Sequence, residues 1–176
     1  MNWEVFLAGS RLDLEDLALS FTGSDWTITK SNDRYVLTSP EFEALNDSEK
    51  IRSLAELFLE RINGAAKLVL DSGTAVRIEA IHGPHPDGSG GRANYMGPIH
   101  FGAGAVMRAS MSFVQPDGTI VTHHPADEIR SWIRLAKTDD SVAKVLDLLS
   151  DKWDWVNLYR IFEIVMDDSG GLDKIQ

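Results

Sequence analysis

NDSEKIRSLAELFLERINGAAKLVLDSG, residues 46–73, is the stretch that decides the fold. Asn46 followed three residues later by Glu49 has the form of a capping box, in which two side chains satisfy backbone N–H groups of the first helical turn. Ile51, Leu54, Ala55, Phe58 and Ile62 then recur at helical spacing, while Glu49, Arg52, Glu56, Glu60 and Arg61 mostly face water. Gly64 weakens such a helix by ~1 kcal/mol relative to Ala but does not end it. The Asp71-Ser72-Gly73 turn does.

Working outward, both flanks read as strands. Before the helix, Trp3, Val5 and Leu7 alternate with polar or small neighbours, as in a half-buried strand. Ser10 caps a short helix containing Leu12, Leu14, Leu17, Leu19 and Phe21, which Gly23-Ser24-Asp25 breaks. Trp26–Thr29 and Tyr35–Thr38 flank Ser31-Asn32-Asp33, the pattern of a hairpin. After the helix, Thr74–Ile81 returns to a strand pattern with Val76, Ile78 and Ala80 on one face. Residues 82–104 are rich in glycine and show no periodicity, so they read as a long loop that is functional or mobile. Alternation resumes over 105–114, with Met107, Ala109, Met111 and Phe113 on one face. Gln115-Pro116-Asp117-Gly118 then turns the chain into a partner strand, Thr119–Thr122.

Beyond Pro125 the pattern is helical: Asp127–Ala136, a second piece capped by Ser141, and a third from about Trp153 to Asp168 that Gly170-Gly171 ends. This order implies an α+β fold, a mostly antiparallel sheet packed by one long central helix, with a C-terminal helical group. The chain reads as a single domain over 1–176, with a mixed part at 1–124 and helices at 125–176.

Composition narrows the function. A length of 176 residues suits one domain, and 43% apolar with 25% charged residues is ordinary for a soluble globular protein. No cysteine is present, which excludes disulfides, thiolate zinc sites and cysteine nucleophiles and fits a reducing compartment. The amino terminus carries acids where a signal peptide needs a basic start, and no apolar run approaches the ~20 residues of a membrane span. The expected location is cytoplasmic, without membrane association. A net charge of −10 with dispersed basic residues argues against sequence-independent nucleic-acid binding.

All five histidines lie between His82 and His124. His82, His85, His123 and His124 are the candidate metal ligands, for zinc or another divalent ion, provided the two strand ends that carry them meet at one sheet edge. Asp87 or Asp127 can add a carboxylate. The competing reading is solvated or hydrogen-bonded histidine, with no cofactor. Gly88-Ser89-Gly90-Gly91-Arg92 can wrap an anion through its N–H groups. It leads into no helix and has no P-loop lysine, so a surface loop is the plainer account. Arg92, Asn94, Tyr95 and His100 are the ligand-binding candidates of this region. The Arg77-x4-His82 spacing sits on a strand pattern, not on the helix that ribonuclease chemistry of that kind uses, and no Gly-x-Ser-x-Gly elbow occurs.

In the last helix, Trp155, Leu158, Tyr159, Ile161, Phe162, Val165 and Met166 cover more than half the circumference. So wide a stripe implies packing on two sides, hence a central or interface helix. Core is the first reading. A docking surface formed by Trp155, Tyr159 and Phe162, with Trp132 nearby, is the second, and the two are compatible.

The block Trp155-Val156-Asn157-Leu158-Tyr159-Arg160-Ile161-Phe162-Glu163, followed by Gly170-Gly171, resembles a Trp-x-x-Leu-Tyr-Arg-Ile-x-Glu helix of uncharacterised bacterial proteins. The resemblance covers the last quarter of the chain and implies a shortened member of a longer family. It implies no activity. The leading expectation is a non-catalytic binding or regulatory module that takes a protein partner or a second copy. The alternative is a metal-assisted enzyme or small-molecule binder using residues 82–124.

Overall fold

A computed structural model describes residues 3–23, 25–84, 90–94, 111–124 and 126–171. In chain order the elements are β1 (Glu4–Ala8), α1 (Arg11–Ser20), β2 (Thr27–Ser31), β3 (Arg34–Thr38), α2 (Pro40–Glu43) and α3 (Ser48–Leu70). There follow β4 (Arg77–Pro84), β5 (Gly90–Asn94), β6 (Met111–Val114), β7 (Ile120–His123), α4 (Ala126–Leu135), α5 (Asp140–Ser150) and α6 (Trp155–Asp168). The architecture is α+β. One sheet has the order β2-β3-β1-β4-β5 and every pairing in it is antiparallel. β6 and β7 form a separate two-stranded sheet, also antiparallel.

The β2–β3 hairpin turns through Asn32 and Asp33, both at positive φ (48° and 61°). Short polar side chains tolerate that region, and a turn with both central residues there matches the twist of the strands it joins. Ser10 caps α1 and accepts from the Asp13 N–H, as expected. The cap of α3 falls one residue later than the capping box predicts: Asp47, not Asn46, accepts from the Glu49 N–H at 2.9 Å. Asp71 ends the helix in the left-handed region at φ 50°.

α3 occupies the middle layer, meeting β4 on one side and α4 and α5 on the other. Val5, Leu7, Ile28, Leu37, Ile78 and Ile81 from the sheet share one buried cluster with Ile51, Ala55, Phe58 and Ile62 of α3. Ile129, Ile133, Leu146 and Leu149 of α4 and α5 belong to the same cluster. The long helix is thus central, as its apolar stripe requires.

Strand β4 departs from simple alternation. Phe6 pairs with Ala80 but Leu7 pairs with Ile78, leaving Glu79 as an extra residue in a bulge. The bulge puts Ile78 and Ile81 on the helix side and turns Ala80 to the opposite face with Phe6 and Val36. The expectation that Val76, Ile78 and Ala80 share a face is therefore corrected. Glu79 pairs with Arg34 at 2.9 Å, and the Arg34 guanidinium lies 4.3 Å from the Phe6 ring centroid.

Asn63 joins α3 to the chain entering β4. Its amide donates to the Val76 carbonyl and accepts from the Val76 N–H, each at 2.8 Å, imitating a ladder pair where no strand is available. Asn63→Ala leaves both Val76 groups without their partner. Chemical denaturation should show a loss of about 2 kcal/mol, from two hydrogen bonds worth ~1 kcal/mol each.

Candidate functional site

The histidine region comes out differently from the loop the sequence suggests. His82 lies inside β4, not at its end, with its ring tilted against Phe6 at 4.4 Å. Gly90–Asn94, read above as part of a long loop, forms β5 and pairs with β4: Arg92 stands opposite His82, and Asn94 opposite Ala80. A glycine-rich segment shows no alternation because the pairing partner, not its side chains, sets its conformation. Gly83 in β4 is required by packing, since the Trp3 indole lies where a Cβ would sit. His123 ends β7, opposite Met111. The two strand ends expected to share one sheet edge therefore belong to different sheets. His85, Asp87, Tyr95 and His100, and the predicted strand residues 105–110, lie outside the described residues.

Among the described residues no three His, Asp or Glu side chains are placed to hold a metal ion. Asp127, a candidate carboxylate, is committed elsewhere. One oxygen accepts from the Ser20 hydroxyl and the other from the His124 backbone N–H, both at 3.0 Å, tying the end of α1 to the start of α4.

The aromatic helix is the second candidate, and its setting corrects the core reading. Asp154 caps α6 and accepts from the Asn157 N–H at 3.0 Å. Asn157 is the buried residue of this helix, and its amide donates to the Lys152 carbonyl. Ile161 packs against the main core, and Ile164 is half-buried. These positions recur at i, i+4 and i+7, so a single narrow face of α6 meets the body, against α5. Gly170 and Gly171, at φ 77° and 96°, end the helix, with the Gly171 N–H donating to the Met166 carbonyl.

Most of the remaining apolar circumference is in solvent, Met166 being half-buried. Trp155 is 86% exposed, Tyr159 62% and Phe162 52%. Val156, Leu158 and Val165 flank them and are also exposed. Trp155, Tyr159, Phe162 and Met166 follow one another at spacings of four, three and four. At 100° per residue they form one straight stripe turned away from Asn157 and Ile161. That is the seam spacing a second helix packs against. The sequence therefore marks the residues but not their surroundings: α6 is a peripheral helix with exposed apolar side chains and not a central one. Trp132, expected nearby, is instead half-buried against the main core.

The chain segment leading into α6 is pinned. Lys67 of α3 donates to the Ser150 carbonyl at 2.9 Å and the Asp151 carbonyl at 2.7 Å, closing the C-terminal end of α5. Burial lowers its pKa below the ordinary lysine value, while the cation remains suited to the negative end of the helix dipole. Alongside α6, an open groove of about 850 Å³ runs against α5, with charges of both signs from Lys144, Asp147, Arg160 and Glu163. No helix among the described residues is long and apolar enough to cross a membrane.

Comparison of the chain with known protein families, with curated proteins and with solved structures gives no match in any of the three.

Proposed function

We propose that the protein is a non-catalytic binding module that works by assembly, pairing the free face of α6 with α6 of a second copy. The observation that carries this reading is the stripe Trp155, Tyr159, Phe162 and Met166, whose three aromatic side chains are exposed and whose Met166 is half-buried. At ~150–250 Å² for a whole aromatic side chain, the exposed parts of the three aromatics and their flanks leave roughly 500–700 Å² of apolar surface in water. A typical monomer's largest apolar patch is about 300–600 Å². Two copies meeting face to face would remove roughly 1,000–1,400 Å², at the lower end of the ~1,200–2,000 Å² of stable interfaces.

The same patch on both subunits suits a two-fold contact. An antiparallel crossing sets the large Trp155 against the adaptable Met166 and Tyr159 against Phe162, and it opposes the helix dipoles favourably. Each chain carries a net charge of −10, which repels its copy and disfavours nucleic acid as the partner. The absence of cysteine and the acidic composition suit a cytoplasmic setting.

Sedimentation equilibrium tests the reading. The expected mass is twice the 19.5 kDa of one chain, with association tightening as salt rises, because screening weakens the repulsion and leaves apolar burial intact. A single-chain mass at every concentration up to the high micromolar range would overturn it.

A further inference from the structure

A cavity of about 270 Å³ lies between the end of α1, the start of β2, α3 and α4. Its floor is aromatic. Trp26 and Phe58 stack at 4.1 Å between centroids, 12° apart, and Phe21 meets Phe58 edge-on at 5.8 Å. Its rim is cationic. Arg130, Arg134 and Lys137 follow at spacings of four and three, so one face of α4 and the turn after it presents all three at the mouth. In a chain with 27 acidic and 17 basic residues this is a local reversal of sign, opposed at the rim, among the described residues, by Asp25 alone.

Two of the cations have visible work. Arg130 donates to the Ser20 carbonyl at the end of α1, at 3.4 Å. Lys137 holds the Asp25 carboxylate at 2.8 Å, and that contact lowers the Asp25 pKa below its ordinary value. Arg134 makes no ion pair among the described residues. Asp25 thus sits on the rim as a bound carboxylate would, and a guanidinium beside it remains for another.

We infer that this cavity binds a small aromatic carboxylate, its ring against Trp26 and Phe58 and its carboxylate on Arg134 and Lys137. The chemistry follows from the two halves of the site. Aromatic walls favour a flat ring in offset or edge contact, and a guanidinium matches a carboxylate in a planar, two-point contact. A low-dielectric floor beneath the charges strengthens that attraction relative to open water.

The test is a titration of the folded chain with benzoate, followed by backbone amide chemical shifts. Benzyl alcohol serves as the ring without charge and acetate as the charge without ring. Saturable shifts are expected around Trp26 and over residues 130–137, with both controls weaker by about tenfold or more. Arg134→Glu reverses one rim charge on an exposed side chain and should weaken benzoate by about tenfold or more. Asp25→Asn removes the competing carboxylate and should tighten benzoate several-fold, a gain that loss of structure cannot imitate. The inference is overturned by an absence of saturable shifts, by shifts centred on α6, by a control that binds as well as benzoate, or by binding indifferent to both substitutions.

Discussion

Replacing Phe162 with Asp should convert the assembled protein to single chains while leaving its thermal unfolding almost unchanged. Phe162 is half exposed and lines the open groove beside α5, so a carboxylate there reaches water in the isolated chain. In a two-fold contact every substitution appears twice. Each assembly then buries two unpaired charges and loses two aromatic anchors. Loss of one buried aromatic hot spot commonly costs ~2 kcal/mol or more, so the doubled change should weaken association by roughly a thousandfold, read by sedimentation. Tyr159→Asp should behave alike. Ile161→Asp is the internal contrast: its side chain packs against the main core, so the variant should unfold at lower temperature whatever its assembly. An unchanged mass for Phe162→Asp and Tyr159→Asp together would remove the stripe from the interface.

Gly64→Ala should be among the most destabilising single substitutions in the chain, although helix propensity alone promises a gain of ~1 kcal/mol. α3 and α5 cross so closely at Gly64 that a Cβ would fall 2.0 Å from the Leu146 carbonyl oxygen and 2.8 Å from its carbonyl carbon. Backbone cannot swing aside as a side chain can, so α5 must move off α3 and give up the contacts of Leu146, itself 1% exposed. The cost should be about 2–4 kcal/mol, since forced repacking of a full core exceeds the propensity term. For a chain of this length that lowers the melting temperature by roughly 5–15 °C. Because α6 rests on α5, the same variant should weaken assembly as well. A melting temperature equal to or above that of the parent would show that the two helices do not meet here.

These two substitutions mark the line between what is legible in the sequence and what is not. The apolar period of residues 51–62 identifies α3 and its central place, because a stripe of that width must be covered. Asn32 and Asp33 give the hairpin away, because turn chemistry is local. The caps are legible to within one or two residues: at α3 and α5 the helix takes Asp47 and Asp139, where Asn46 and Ser141 compete for the role. At both ends the aspartate is the residue whose carboxylate meets the first free N–H groups.

What escapes sequence reading is set by partners distant along the chain. Gly64 looks like a weak point in a helix until Leu146 is seen across from it. Residues 90–94 become a strand because β4 supplies the ladder, and Glu79 is a bulge because β1 is one residue short of it. The width of the α6 stripe measures how much apolar surface the helix carries, not what covers it. Hence periodicity alone makes core the first reading and interface the second, and only the surroundings reverse that order. The cavity beside α4 escapes for the same reason: Trp26, Phe58 and Arg134 are far apart in sequence, and only the packing of α3 against α4 assembles them.

Whether α6 meets α6 can be read from isotope-filtered NOE spectroscopy on an equal mixture of labelled and unlabelled chains. Cross-peaks are expected between the Tyr159 ring of one chain and the Phe162 ring of another, and between Trp155 and Met166. Intermolecular cross-peaks confined to other surfaces, or none between these rings at concentrations where sedimentation gives the mass of two chains, would show that α6 does not meet α6.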